Sequence, residues 1–280
     1  MNLVLQGPDA TPEALHRIAA LASPQRIVEL GPHAVRAEAI EDSGAVRQGV
    51  TSAAHAARID AAFIAPARTL ADFGLVAMDM DSTLITIECI DEIADMQGLK
   101  PQVAAITEAA MRGELDFAAS LARRVALLEG LDAGALERVY MERLAISLGG
   151  EAMLAGVQAA GLKTLLVSGG FTFFTDRLKE RLGLDFTHAN VLEIVDGKLT
   201  GRVVGGIVDA DEKMRTVQRV CAQLGIDTAQ AIVMGDGAND LKMMGVAGLS
   251  VAFRAKPVVQ AQASVALNFS GLDGLLAILR

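Results

Sequence analysis

Cysteine is scarce in this sequence. Cys89 and Cys221 are its only two, far apart and without the spacing of a metal site. That argues against a disulfide scaffold and fits a reduced, cytoplasmic chain, with Cys89 as a core thiol rather than a nucleophile. Basic residues are also in deficit, 25 Lys and Arg against 34 Asp and Glu, for a formal net charge of −9. A nucleic-acid partner is not expected on that balance, because phosphate backbones are met by basic surfaces. A small phosphorylated ligand needs only local positive charge. No uncharged apolar run is long enough to span a membrane. Residues 1–10 lack a basic segment followed by an apolar core, so no secretory leader is expected. What is plentiful is apolar: 52% of 280 residues, rich in Ala, Leu and Val. That supports a sizeable core of helical or α/β character in one or two domains.

The most informative stretch is Leu75-Val-Ala-Met78, which ends abruptly in Asp79-Met80-Asp81-Ser82-Thr83. A short apolar run of this kind reads as a strand buried on both faces, as in parallel sheets. Such sheets bind ligands at the carboxyl ends of their strands. Carboxylates at i and i+2 of an extended chain share a side and repel, so one raises the pKa of the other. A dication beside them removes that penalty, and Mg²⁺ accepts carboxylates together with phosphate oxygens. The same residues also fit a solvated Asp-rich turn.

Residues 2–65 read as strand, helix, strand, strand, helix, strand, the ferredoxin-like split order. Thr11-Pro12 opens the first helix with an N-cap and a proline in its first turn. The segment looks like an ACT-type regulatory domain, and a domain used only for packing or dimerisation fits equally. Residues 66–73 form the expected linker. From Glu88 to Ala145 four helical patterns follow without a strand, as expected of a cap that closes an active site. The sheet then resumes. Residues 163–167 form a strand ending in Ser168-Gly169-Gly170, with Thr172 expected to cap the next helix. A hydroxyl and two glycines between strand and helix make an anion site, and also an ordinary turn. Val191–Val195 and residues 198–203 flank Asp196-Gly197 as a hairpin. Lys213 stands in the first turn of an amphipathic helix, where the dipole disfavours a cation. A lysine aimed at phosphate accounts for it; so does a surface lysine paired with Asp209 or Glu212. Residues 231–234 are a further buried strand, ending in Gly235-Asp236-Gly237-Ala238-Asn239-Asp240. Those carboxylates suit a hard, oxygen-ligated metal or cap the following helix.

In this order the motifs Asp-Met-Asp-Ser-Thr, Ser-Gly-Gly, helix-start lysine and Gly-Asp-Gly-Ala-Asn-Asp resemble the haloacid dehalogenase superfamily across residues 74–256. Within it, Ile87-Glu-Cys-Ile-Asp-Glu-Ile-Ala94 and Met111-Arg-Gly-Glu-Leu-Asp-Phe117, with Arg123-Arg124, are similar to the phosphoserine phosphatase family. The resemblance implies a Rossmann-like α/β core with a parallel sheet (71–87 and 146–280), a helical cap insertion (88–145) and a small N-terminal α+β, ACT-like domain (1–70). It implies hydrolysis of O-phospho-L-serine, with Asp79 as nucleophile and Asp81 as general acid and base. Mg²⁺ would be held by Asp79, the Asp81 carbonyl and Asp236, with Asp240 behind them orienting Lys213 or a metal-bound water. Ser168, Gly169, Lys213 and Asn239 would hold phosphoryl oxygens. Glu88 would meet the substrate ammonium and Arg124, or its neighbour Arg123, the carboxylate. Met111 and Phe117 would line the pocket, although Phe117 also suits a helix core. A homodimer through the N-terminal domain is a further expectation. Asp81 argues against a dehalogenase, and the lack of membrane helices against an ion pump. Another phosphomonoester phosphatase, a phosphotransferase, or an amino-acid-binding regulator with an inactive catalytic half are the rivals.

Overall fold

The computed structural model describes residues 1–66 and 68–280; the side chain of Met111 also lies outside the description. Two sheets organise the chain. The smaller is built from β1 (Asn2–Gln6), α1 (Pro12–Ala20), β2 (Arg26–Gly31), β3 (Ala34–Glu38), α2 (Gly44–Ala56) and β4 (Asp60–Ile64). Its strands run antiparallel in the order β2-β3-β1-β4. Thr11 caps α1 by accepting from Ala14 N, and Pro12 opens the helix as its sequence requires. Leu3, Leu5 and Val35 pack against Leu15, Ile18, Val50 and Ala54 of the two helices. The opposite face, with Val4, Ala62 and Ile64, joins the apolar cluster of the larger unit.

The larger sheet begins with β5 (Leu75–Met78). Between it and the next strand lie α3 (Cys89–Asp95), α4 (Lys100–Met111), α5 (Phe117–Ala126), α6 (Gly134–Glu142) and α7 (Gly150–Ala159). Then come β6 (Lys163–Phe171), α8 (Thr172–Leu182), β7 (Phe186–Val195), β8 (Lys198–Val204), α9 (Ala210–Leu224), β9 (Ala231–Gly235), α10 (Leu241–Gly245), β10 (Leu249–Phe253), α11 (Pro257–Gln260), β11 (Val265–Leu267) and α12 (Gly274–Ile278). The strand order is β11-β10-β9-β5-β6-β7-β8, parallel except for the β7–β8 hairpin at one edge. Residues of β5 alternate between two cores. Val76 and Met78 face one cluster, Leu75 and Ala77 the other, which explains a strand with no polar face.

Helices α3–α6 leave and rejoin the sheet through paired connections. Ile85 and Ile146 form an antiparallel bridge, Thr86 N donates to Ala145 O at 3.0 Å, and Ser147 N to Leu84 O at 2.9 Å. The Asp196-Gly197 turn has positive φ at both residues (49° and 75°), the type I′ geometry that matches strand twist.

Two expectations need correction. Ser168-Gly169-Gly170 lies inside β6, which runs on to Phe171, not in a turn after it. Thr172 is the first residue of α8, and Phe171 is its N-cap, without a side-chain bond. The longer strand arises because its last residue pairs with Asn190 of β7 across a register shift. Cys89 and Cys221 are both free and buried. No helix among the described residues is long and apolar enough to cross a membrane.

Candidate active site

The carboxyl ends of β5, β6 and β9 meet the start of α9 at one cleft of about 630 Å³. Asp79 leaves β5 into a wide turn over Met80–Leu84. It is closed by bonds from Leu84 N to Asp79 O (3.3 Å) and from Ile85 N to Met80 O (3.0 Å). Asp81 within it is extended, while Ser82 takes the left-handed region at φ 55°. The two aspartates therefore reach one cleft through a turn, not through an extended strand. Asp79 Oδ1 accepts from Met80 N at 2.7 Å. Asp81 Oδ1 accepts from Cys89 N at 2.9 Å, the first helical residue of α3, so a helix start orients it.

Lys213 is fully buried, which excludes the surface pairing with Asp209 or Glu212. Its Nζ lies 2.8 Å from Asp79 Oδ1 and 2.8 Å from Asp240 Oδ1. Burial alone would lower its pKa; Asp240 and Asp79 outweigh that and raise it, so it stays charged. Asp240 Oδ2 accepts from Asp236 N (3.2 Å) and Gly237 N (3.0 Å). All its hydrogen bonds are thus internal to the loop and Lys213, as suits a residue standing behind the reacting groups. Asp236 Oδ1 accepts from Thr83 Oγ1 at 3.0 Å.

Four carboxylates, Asp79, Asp81, Asp236 and Asp240, thus share one buried lysine. Burial, then the charge of Asp240, pushes Asp79 well above the carboxylate range despite Lys213. Burial raises Asp81 as well, and burial with Asp240 raises Asp236 to about 6. Oxygens of Asp79, Asp236 and Asp240 come within 4.8 Å of one another, close enough to share a metal ion. An all-oxygen donor set with excess negative charge fits a hard divalent cation.

Ser168 is buried; its Oγ accepts from Gly170 N at 2.8 Å and lies 3.4 Å from Asp81 Oδ2. Gly169 lines the cleft opposite Phe117. A Cβ on Gly169 would meet Phe117 Cζ at 2.8 Å, so the glycine is what lets the cap ring close on the strand. Phe117 is the first residue of α5 and only partly buried, so it serves as cleft wall and packs on the core at once. Asn239 lines the cleft beside Asp236. From the cap, Glu88 and Arg124 enter the same space. Arg123 is exposed and does not line the cleft, which leaves Arg124 as the cap arginine. Glu88 accepts from Ser82 Oγ at 2.7 Å. Although water reaches Glu88, loss of bulk hydration and the charge of Asp81 push its carboxyl up to about 7. The expectation for Met111 falls on a side chain outside the described residues.

Three further residues shape the site without a role assigned to them from the sequence, although Thr83 and Asp91 lie inside its motifs. Asn190 of β7 is buried, donates to Gly169 O at 2.7 Å and accepts from Val208 N at 2.8 Å. It ties the end of β6 to the segment leading into α9, and so Ser168 and Gly169 to Lys213. The strand also carries Thr187, His188 and Glu193, so nothing local singles this asparagine out. Thr83 holds Asp236 from the Asp-Met-Asp-Ser-Thr run itself. Asp91 lines the cleft with Oδ1 buried and unpartnered among the described residues.

A family model for haloacid dehalogenase-like hydrolases matches residues 76–245, which include every site residue above. A phosphoserine phosphatase of Polaromonas sp. is 57% identical over 220 residues, 77% of this chain and 93% of that protein. Among solved structures, a HAD family hydrolase of Salmonella enterica serovar Typhi matches with TM-score 0.91 and 33% identity, covering 100% of this chain and 99% of that one. A substrate-bound phosphoserine phosphatase matches with TM-score 0.70 and 36% identity, over 74% of this chain and 99% of that one. Motif order, site geometry and these similarities agree: the chain belongs to the haloacid dehalogenase-like hydrolases, on the branch of its phosphoserine phosphatase relatives.

Proposed function

We propose that this protein hydrolyses O-phospho-L-serine to L-serine and inorganic phosphate through an aspartyl-phosphate on Asp79. The observation that carries the reading is Lys213, buried between Asp79 and Asp240 at 2.8 Å from each, beneath a cleft whose cap side offers Glu88 and Arg124. Asp79 attacks phosphorus and the serine oxygen leaves. Asp81, kept protonatable by burial, gives that oxygen its proton and later takes one from the attacking water. Splitting the displacement in two lets one carboxylate serve as nucleophile and the other as acid and base. Lys213, the Ser168 hydroxyl, the Gly169 amide and Asn239 hold phosphoryl oxygens, where charge is greatest.

Asp79, the Asp81 carbonyl and Asp236 are the residues we assign to Mg²⁺, with Asp240 fixing Lys213 behind them. When bound, the ion supplies neutralisation of phosphoryl charge. Glu88 pairs with the substrate ammonium, and Arg124 offers a planar fork to its carboxylate. We divide the chain into an ACT-like unit (1–70), a core (71–87 and 146–280) and a cap (88–145), in a cytoplasmic enzyme. A homodimer through the N-terminal unit belongs to the same reading; its contact would lie on the edge of the sheet or the outer helix faces, because the open face of that sheet is covered by the core.

Two substitutions test the assignment. Asp79→Asn is expected to abolish phosphate release while leaving the thermal melt intact. Arg124→Ala is expected to weaken use of phosphoserine by about 10–100-fold, the scale of a lost charged hydrogen-bond pair, while sparing an aryl phosphate. Substantial turnover by Asp79→Asn would remove the covalent mechanism. Equal losses on both esters would assign Arg124 to closure of the cap rather than to the carboxylate.

A further inference from the structure

One exposed cation in the cleft has no part in the chemistry above. Lys256 lines it on the core side, beside Asp236, Gly237, Ala238 and Asn239, whereas Arg124 lines it on the cap side. Its backbone already has a structural task. The amide donates to Asp236 O at 3.2 Å, and the carbonyl accepts from Val259 N (2.9 Å) and Gln260 N (3.1 Å) to start α11. The side chain is exposed, and its Nζ enters no ion pair or hydrogen bond among the described residues, although its charge is felt by Asp236.

The surroundings give that free charge a use. Asp79, Asp81, Glu88, Asp91 and Asp236 line the cleft, in a chain of net charge −9. An anionic ester approaching it meets repulsion unless positive charge stands at the mouth. Lys213 is buried and committed to Asp79 and Asp240, and Arg124 sits half-buried under the cap with its Nε directed to Ser120 O at 3.4 Å. Lys256 is the lining cation that faces solvent.

We propose that Lys256 is a recruiting and positioning residue: it draws the phosphate group of the substrate from solvent to the Asp236–Asn239 rim. With Arg124 on the cap side, this sets the polarity of entry, phosphate toward the core and carboxylate toward the cap. Attraction of phosphate stands on the geometry of Lys256 alone; the orientation rests on the phosphoserine reading.

The test uses the full chain with saturating Mg²⁺, as wild type, Lys256→Ala, Lys256→Glu and Lys256→Arg. Two quantities are measured from low to high salt: the Kd of inorganic phosphate by calorimetry, and kcat and KM for O-phospho-L-serine. At low salt the phosphate Kd is expected to rise about threefold in Lys256→Ala and about tenfold in Lys256→Glu, with Lys256→Arg close to wild type. The differences should close toward about 0.5 M salt, where the screening length falls to a few ångströms. For turnover, KM is expected to carry the change and kcat to stay within about twofold, because Lys256 acts on entry and Lys213, Ser168 and Gly169 hold the phosphoryl group during the displacement. Wild-type phosphate affinity in both Lys256→Ala and Lys256→Glu at low salt overturns the proposal. So does a fall in kcat with KM unchanged. Should Lys256→Glu fail to fold, Lys256→Ala carries the same comparison. Phosphate affinities in the expected order across the four proteins, with a wild type that leaves phosphoserine intact, support Lys256 and reject the proposed substrate.

Discussion

Charge at the level of single residues is what the site is made of, and it ties metal binding to pH. Asp236 is raised to about 6 by burial and Asp240. Between its ordinary value of 3.8 and about 6, the folded protein holds a proton that the unfolded chain has released. That contribution to stability is fully present below the lower value and is lost as pH rises through the higher one. A divalent cation binds the ionised form and restores what is lost. The gain in melting temperature on adding Mg²⁺ should therefore grow between about pH 5 and about pH 7.5. Differential scanning calorimetry with and without the ion checks this, and a constant or shrinking gain would contradict it. At this scale the legible residues were those in unusual places. Lys213 stood out because a cation at a helix start is disfavoured, and Asp79, Asp81 and Asp236 because charge broke an apolar strand. Asn190 was not legible: its two bonds reach Gly169 and Val208, distances along the chain that no local pattern encodes.

Elements were legible where periodicity was long. The four strands and two helices before residue 65 and the four helices of the insertion lie where apolar spacing puts them, within a few residues at their ends. Short pieces were not: α11 and β11, of four and three residues, carry too few positions for a period to show. Strand β6 outran its expected end because pairing with β7, a long-range event, overrides two glycines. One inter-element contact was also invisible in the sequence. Gly130 N donates to Leu199 O, Leu199 N to Leu131 O and Ala133 N to Gly197 O, each at 2.8 Å, so the cap is hydrogen-bonded to the β7–β8 hairpin. Gly201 permits the approach. It has φ 75°, and a Cβ there would lie 3.0 Å from Glu129 Cβ and 3.2 Å from Ala126 O. Helix α5, which carries Arg124, ends at that contact. Gly201→Val should destabilise the protein by about 1–3 kcal/mol, through the positive φ and overpacking together. It should also raise KM for phosphoserine by shifting Arg124. Urea unfolding and steady-state kinetics check this, and an unchanged KM in a folded variant would separate the hairpin from the cleft.

For the whole molecule, the N-terminal unit is joined to the hydrolase core, not suspended from it. Val4, Ala62 and Ile64 share a cluster with Leu275, Ile278 and Leu279, and Gln6 Nε2 donates to Gly274 O at 2.9 Å. Asp60 accepts from Asn268 N (2.7 Å), Phe269 N (3.2 Å) and Ser270 N (2.8 Å) while almost fully buried. Removing that carboxylate strands three amides, so Asp60→Ala should cost about 1–3 kcal/mol per group left unsatisfied and lower the melting temperature. Its kcat should hold, because the seam lies away from the cleft; a fall in kcat without a fall in stability would mean the unit speaks to the active site. The central claim concerns the cleft, and one measurement addresses it most directly. Inorganic phosphate release is followed from O-phospho-L-serine and from a panel of other small phosphomonoesters, in Mg²⁺ and again in excess chelator. Release that requires the metal and favours O-phospho-L-serine is the predicted result; release indifferent to chelator, or favouring another ester, would contradict it.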